Sequence, residues 1–338
     1  MVADQSDDQV RAALAAAEDP AASLGERAEM LMEIAMGLQR RPKTADALWA
    51  AIELYDRALA LADDPLLTAR IGARRGTALQ ALPAEGSASL DAARRAFEAA
   101  LPTLAQFGRP EEVAEAEMNL GVTLQNLAGL GRARLTDAIA AYQRALRTFD
   151  QRRFPAEFAI LQNNLATAFL SIPMSDERAK MREAMAVQAF EEGLKVINLV
   201  DHPVEYAMLQ NNLGNALQYA SSAHAVENNL RALDAYDEAL RVRTRADMPG
   251  EYANTLANKA NCLWNLPDDP EHPEDGNPRN LALARAAYAE AREIFAGQGE
   301  AEKARIVAEA CVQIEREMLT SVPPARGSGN GHSMNSGA

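Results

Sequence analysis

The stretch NNLGNAL, residues 211–217, decides the fold because it is one half of a repeating helical unit. It follows Pro203 and places the small residue Gly214 eleven residues after that proline. The other half is Ala232, Tyr236 and Ala239, which share one helical face because they are four and three residues apart. An aromatic side chain between two small ones suits close packing against a preceding helix. The two halves predict a helix A and a helix B joined by a short turn.

Five prolines recur along the chain and mark the starts of the A helices. Their separations are 45, 45, 48 and 46 residues: Pro65, Pro110, Pro155, Pro203 and Pro249. Each is followed by Ala after four residues and by Gly or Ala after eleven, and four of them by Glu after two. Proline costs no hydrogen bond in a first helical turn, and an early Glu favours the positive end of the helix dipole.

The B-helix pattern occurs six times in phase with these starts. The six sets are Ala51/Tyr55/Ala58, Ala93/Phe97/Ala100, Ala138/Tyr142/Ala145, Ala186/Phe190/Gly193, Ala232/Tyr236/Ala239 and Ala284/Tyr288/Ala291. We interpret the aromatics as core residues.

A phased helix pair of about 45 residues resembles the tetratricopeptide repeat family in its long-repeat form. Besides residues 211–217, NLG at 119–121 and NLA at 164–166 support the resemblance, which covers residues 22–296. It implies an all-α, right-handed solenoid of antiparallel helix pairs, with the A helices lining a concave surface. The repeats exceed the usual length of about 34 residues, and Arg75 and Lys259 stand where Leu is expected.

The predicted organisation has four parts. Residues 1–20 form an acidic segment, with a short helix over 5–18 as an open alternative, and 21–299 form about six helix pairs. A helix over 23–40 pairs with the helix of Tyr55. Residues 300–320 form a capping helix with Ile306, Ala310 and Ile314 on its apolar stripe, and 321–338 form a disordered tail.

Composition and charge argue against several classes of protein. Cys262 and Cys311 are too few for a disulfide framework or a zinc ribbon, and we expect both to be buried. The net charge of −14 argues against nucleic-acid binding. There is no signal-peptide pattern and no apolar run of the ~20 residues that span a membrane, so we expect a cytoplasmic protein. The Ala- and Arg-rich usage weakly suggests a bacterial source.

No catalytic or cofactor-binding pattern is evident. The four histidines have no partners at ligand spacing, and no phosphate-binding glycine loop or paired-cysteine motif occurs. The acidic loop 267–278 does not match calcium-loop spacing, and a solvated insertion is favoured over a cation site. We therefore predict a protein that is not an enzyme and has no cofactor or metal.

The A helices carry an arc of polar side chains opposite their apolar face, and this arc supplies the candidate partner-binding residues. They are Arg70, Arg74, Asn126, Asn163, Thr167, Asn211, Asn215, Gln218, Tyr219, Asn254, Asn261 and Trp264. Asn both donates and accepts, so a row of Asn can satisfy an extended peptide backbone. The resemblance implies the same, since family members with such rows bind extended segments. Alternatively, the Asn residues serve hydrogen bonds between neighbouring helices.

The leading functional prediction is a non-catalytic module, such as an adaptor, assembly factor or regulatory subunit, that binds a protein or peptide segment. Arg70 and Arg74 predict an acidic end of that segment, and Tyr219 and Trp264 an uncharged or apolar end. Residues 66–154, with 12 basic and 9 acidic side chains, are a candidate docking region for an acidic group. The alternatives are an accessory subunit that uses convex or terminal surfaces, and a peptide-sensing regulator.

Overall fold

The computed structural model describes residues 22–40, 45–83, 87–173, 177–220, 224–270 and 272–320, which form helices and turns without a strand. The helices are α1 (Leu24–Arg40), α2 (Ala45–Leu61), α3 (Pro65–Ala81), α4 (Ala88–Phe107), α5 (Pro110–Gly129), α6 (Leu135–Ala145), α7 (Pro155–Ser171), α8 (Glu177–Leu194), α9 (Pro203–Gln218), α10 (Ala225–Leu240), α11 (Pro249–Trp264), α12 (Pro278–Gly297) and α13 (Ala301–Thr320). The predictions for 1–20 and 321–338 lie outside these residues. None of the described helices is long and apolar enough to cross a membrane.

Helices that follow one another in the chain pack as pairs, so the predicted all-α solenoid of antiparallel helix pairs is confirmed. All five predicted starts are correct, because α3, α5, α7, α9 and α11 each begin at the proline that marks them. The Asp64 carboxylate caps α3 by accepting from the Leu67 backbone N–H at 2.6 Å. The Glu112 carboxylate reaches back to the Arg109 N–H at 2.8 Å, which closes the first turn of α5.

The six B-helix aromatics are all buried, as the sequence predicts. Each aromatic that faces a glycine fills the space that the missing side chain leaves. A Cβ atom added to Gly214 on α9 would lie 2.6 Å from the ring of Tyr236 on α10, and one on Gly121 would overlap the ring of Tyr142. The glycines eleven positions after Pro65, Pro110 and Pro203 therefore make room for the aromatic side chain of their own pair.

Arg75 and Lys259, which stand where Leu is expected, are each paired with an aspartate of the preceding B helix. The Arg75 Nε donates to the Asp56 Oδ1 at 2.6 Å, and the Lys259 ammonium pairs with the Asp237 carboxylate. Both aspartates directly follow the buried aromatic of their helix. The two departures from the apolar pattern are thus ion pairs between adjacent repeats.

The chain divides into two compact units, residues 1–205 and 206–338. In the first unit, buried residues from Ala28 to Ala168 form one core, and α1 packs against the Tyr55 helix as predicted. In the second, a core extends from Ala253 to Ile314.

The helix α13 packs on α12, but its predicted apolar stripe is partly wrong. The buried side chains are Val307, Cys311 and Ile314, whereas Ile306 is exposed and Ala310 is half-buried. The orientation of α13 is therefore set by Val307 and Cys311, which lie one residue further along the helix than Ile306 and Ala310.

Candidate partner-binding site

The twelve candidate residues lie on one face of the A helices. They occupy positions five, eight, nine, twelve, fifteen or sixteen residues after the helix-starting proline. At about 100° per residue these positions span an arc of about 120°, which we call the A-helix face. The residues on this face are described separately for the two units.

In the first unit, the two candidate arginines are paired with glutamates of the next A helix. The Arg70 Nε and Nη2 donate to Glu112 at 2.8 and 3.2 Å, and the Arg74 Nη1 donates to Glu115 at 2.6 Å. Partial burial opposes the charge on Glu112, but hydrogen bonds from the Arg70 guanidinium and the Arg109 backbone N–H lower its pKa below the ordinary value. Beneath them is a cavity of about 30 Å³, which holds little more than a water molecule.

Polar side chains connect the next turns of the A helices in the same unit. The Gln80 side-chain amide donates to the backbone carbonyl of Asn119 at 2.9 Å and to the Thr123 hydroxyl at 3.0 Å. One repeat later, the Gln125 Nε2 donates to the Thr167 hydroxyl at 3.2 Å. Since each bond joins successive A helices, these side chains fix the spacing of neighbouring repeats.

The remaining candidates of the first unit differ in accessibility. Asn126 is exposed, and no hydrogen-bond partner for its side chain occurs among the described residues. Asn163 is buried, with 7% of its surface exposed, and donates to the Asn164 Oδ1 at 3.2 Å. Asn126 can therefore meet a partner directly, whereas Asn163 acts inside the repeat.

In the second unit, asparagines link α9 and α11. The Asn258 amide donates to the Asn211 Oδ1 at 3.2 Å, and the Asn211 amide donates to Asn212 at 3.1 Å. The Asn261 amide donates to the Tyr219 hydroxyl at 2.7 Å. Asn258 and Asn261 thus repeat the inter-helix pattern of the first unit with amides.

Two further candidates hold the buried tyrosine of their own pair. The Tyr236 hydroxyl lies 2.8 Å from the Asn215 Oδ1 and 2.9 Å from the Gln218 Oε1. Burial raises the pKa of Tyr236 well above its ordinary value, so the hydroxyl remains a donor. The Gln218 Nε2 is buried without a hydrogen-bond partner in the described part of the chain. Asn215 and Gln218 therefore stabilise their own helix pair by accepting the hydrogen bond of the buried Tyr236 hydroxyl.

In the second unit, the candidates with exposed surface or an unpaired amide are Tyr219, Asn254 and Trp264. Tyr219 is 67% exposed, and Trp264 is half-buried, with its Nε1 donating to the Glu317 carboxylate of α13 at 2.7 Å. Asn254 is half-exposed, and its amide has no partner within the described residues. These three side chains combine aromatic surface with an unused amide.

The acidic loop between α11 and α12 is more ordered than a solvated insertion. Asp269 is buried, lies 3.4 Å from the Arg279 guanidinium, and its backbone N–H donates to the Gly276 carbonyl at 2.7 Å. His272, Glu274 and Asp275 are exposed and close enough to share a cation, as exposed acidic groups often are. The loop is thus anchored through Asp269 and solvated at its tip.

Both cysteines are buried, as predicted. The Cys262 Sγ lies 3.2 Å from the Asn229 carbonyl, and burial raises the pKa of this thiol to about 12. Burial also raises the pKa of Cys311.

No protein-family model matches the chain, and no curated protein matches its sequence. The solved structures that are similar to it include the following two. BtubC (BKLC) from P. vanneervenii is 22% identical over 71% of this chain and 88% of that chain, with a TM-score of 0.47. The Rap protein complexed with competence and sporulation factor is 12% identical over 88% of this chain and 81% of that chain, with a TM-score of 0.45. At these values, neither similarity bears on what this chain binds.

Proposed function

We propose that this chain is a long-repeat tetratricopeptide protein that binds an extended segment of a partner protein on its A-helix face. In this role it is a non-catalytic adaptor, assembly factor or regulatory subunit. The observation that carries the proposal is the second unit's A-helix face, where Tyr219 is 67% exposed and the Asn254 amide has no hydrogen-bond partner among the described residues. Amide side chains can hydrogen-bond to the backbone of a bound peptide, and aromatic side chains offer apolar contacts. Such a face therefore suits partner segments whose side chains vary.

The side-chain hydrogen bonds on the A-helix face support a division between residues that recognise a partner and residues that maintain the array. Asn211, Asn215 and Gln218 already bond to other side chains, so their removal disturbs the repeat as well as the surface. Tyr219 is exposed, and the half-buried Asn254 amide has no hydrogen-bond partner among the described residues. We assign recognition chiefly to Tyr219 and Asn254, and both roles to the other three.

The paired arginines of the first unit remain suited to an acidic residue of the partner. A guanidinium carries five N–H donors, and Arg70 uses two of them on Glu112 while Arg74 uses one on Glu115. Side chains of both arginines are more than one third exposed. A partner carboxylate can therefore bind the outer edges of these guanidiniums without breaking the pairs.

A selected peptide tests this proposal. A phage-displayed library of random dodecapeptides is selected on the immobilised full chain, and the affinity of the recovered peptide is measured by calorimetric titration. We expect Tyr219→Ala to weaken binding about tenfold or more, because exposed aromatics commonly anchor interfaces, and Asn254→Ala to weaken it less. Trp49→Ala and Asn228→Ala are matched controls, because they truncate an exposed aromatic and an amide on B helices. Equal loss in the controls, or unchanged affinity in both test variants, contradicts the proposal.

A further inference from the structure

A cleft of about 460 Å³ opens beside α3 and α4 in the first unit, away from the A-helix face. Gly72 lies in its wall with no atom within 4 Å of where a Cβ would be, and Ala96, Ala99 and Ala100 line it from α4. Asp63, in the turn that precedes α3, and Arg75 supply charged groups. The volume is within the usual range for binding sites.

Two other helix pairs hold long, hydrogen-bonded side chains at the positions that line this cleft. In the α5–α6 pair, the corresponding positions hold Glu117 and Arg144, joined by two hydrogen bonds of 2.7 Å. In the α9–α10 pair, the Tyr206 hydroxyl meets Glu238 at 2.8 Å in the equivalent region.

In the α3–α4 pair, the positions equivalent to Glu117 and Arg144 are Gly72 and Ala99, and the position equivalent to Tyr206 is Thr68. All three line the cleft. The cleft thus lies where all three of these positions hold small side chains.

Charge indicates what fills the cleft. The Arg75 guanidinium is neutralised by Asp56, whereas Asp63 is exposed and has no ion-pair partner among the described residues. The open carboxylate therefore makes this surface net acidic. In the α5–α6 pair, an arginine paired with a carboxylate occupies the equivalent positions. The aliphatic stem of an arginine can pack against small apolar side chains while its guanidinium pairs with a nearby carboxylate.

We propose that the cleft binds an arginine side chain presented by a basic segment of a partner protein. The stem of the arginine lies over Ala96, Ala99 and Ala100, and its guanidinium pairs with Asp63. This is a second contact surface, built from α2, α3 and α4, and it is independent of the proposed function of the A-helix face.

The test uses a defined probe and amide NMR spectra of the full, isotope-labelled chain. The probe is acetyl-Gly-Arg-Leu-Arg-Gly-amide, and its control contains citrulline, an uncharged isostere, in place of both arginines. We expect the arginine peptide to shift the resonances of Gly72, Ala96 and Ala99, and the citrulline peptide to leave them unchanged. Cleft resonances that do not move, or that move equally with both peptides, overturn the proposal.

Variants separate the cleft from general attraction to an acidic protein. Asp63→Asn should weaken binding of the arginine peptide about threefold to fivefold, as expected for one exposed ion pair. Glu53→Gln on α2 removes the same charge outside the cleft and should leave binding unchanged.

Gly72→Glu with Ala99→Arg rebuilds the pair of Glu117 and Arg144 and should abolish binding. Ala99→Arg alone, at an exposed helical position, should compete for Asp63 even if the double variant fails to fold. Equal effects of Asp63→Asn and Glu53→Gln, or full binding by Ala99→Arg, contradict the assignment.

Discussion

The buried hydroxyl of Tyr142 on α6 hydrogen-bonds to the Oε1 of Gln125 on α5 at 2.8 Å. The same link joins Tyr236 to Gln218, and it joins Tyr55 to Gln39 at 2.7 Å. In each case the glutamine lies four residues after a small residue of the A helix: Gly121, Gly214 or, in α1, Ala35. The side chain of the B-helix tyrosine therefore extends to the A helix of its own pair, where its hydroxyl bonds to a polar side chain.

Removing this hydroxyl tests its contribution to stability. We expect Tyr142→Phe to lower the free energy of unfolding by about 1 kcal/mol, because the half-buried Gln125 acceptor loses a hydrogen bond that water only partly replaces. Chemical denaturation followed by circular dichroism measures the change. In the double variant Tyr142→Phe with Gln125→Leu, the losses should be less than additive, since both changes remove one bond. Full additivity contradicts a direct link.

The glycines that face the B-helix aromatics predict a strong positional effect of a single methyl group. We expect Gly214→Ala to destabilise the chain by about 1–3 kcal/mol, because the new Cβ would lie 2.6 Å from the ring of Tyr236. Gly37→Ala on α1 is the matched control, since no atom lies within 4 Å of its Cβ position, and it should be neutral or stabilising. Thermal unfolding of the two variants distinguishes them. A stable Gly214→Ala protein is incompatible with the close approach of α9 and α10.

The pair of Arg70 and Glu112 predicts a pH-dependent contribution to stability. The pKa of Glu112 in the folded chain is below its ordinary value of 4.5, so the pair stabilises the fold above that pH and is lost as the pH falls through the folded pKa. We expect Arg70→Ala to lower the free energy of unfolding by about 1 kcal/mol or less at pH 7, because the pair is partly solvent-screened.

The difference between the wild type and Arg70→Ala should shrink as the pH falls below 4.5. Urea denaturation at pH 7 and at several values below 4.5 measures it. A difference that stays constant or grows on acidification contradicts the assigned role of the ion pair.

The cysteine thiols predict slow chemical modification of the folded chain. Burial raises the pKa of Cys262 to about 12, so almost no thiolate is present at pH 8. We expect neither Cys262 nor Cys311 to react with Ellman's reagent within minutes in the native protein, and both to react after denaturation. One equivalent of rapid reaction in the native protein contradicts the buried positions.

The sequence predicted the helix pairs well because their signals are local or strictly periodic. A proline in the first turn and an aromatic between small residues act within one helix or one pair, so Pro203, Gly214 and Tyr236 could be placed without coordinates. The hydrogen bonds of the tyrosines to glutamine were not predicted, although Gln39, Gln125 and Gln218 recur in phase, and Gln218 was considered only as a partner-binding residue.

The contacts between repeats could not be predicted in the same way. Whether Asn258 reaches Asn211, or Arg70 reaches Glu112, depends on the spacing between neighbouring A helices, which the periodicity of a single helix does not define. Asn211 takes part in the inter-helix network, whereas the Asn254 amide has no hydrogen-bond partner among the described residues, and its role in recognition remains a proposal.

Photo-crosslinking tests the central proposal most directly, because it locates a bound segment on the A-helix face. A library-selected peptide carrying benzoylphenylalanine at one position is irradiated with the full chain, and the crosslinked residues are identified by mass spectrometry. We predict crosslinks at Tyr219, Asn254 or Trp264, which lie on or beside the open part of the A-helix face. Crosslinks confined to the exposed residues of α10 and α12 would contradict the proposed binding surface.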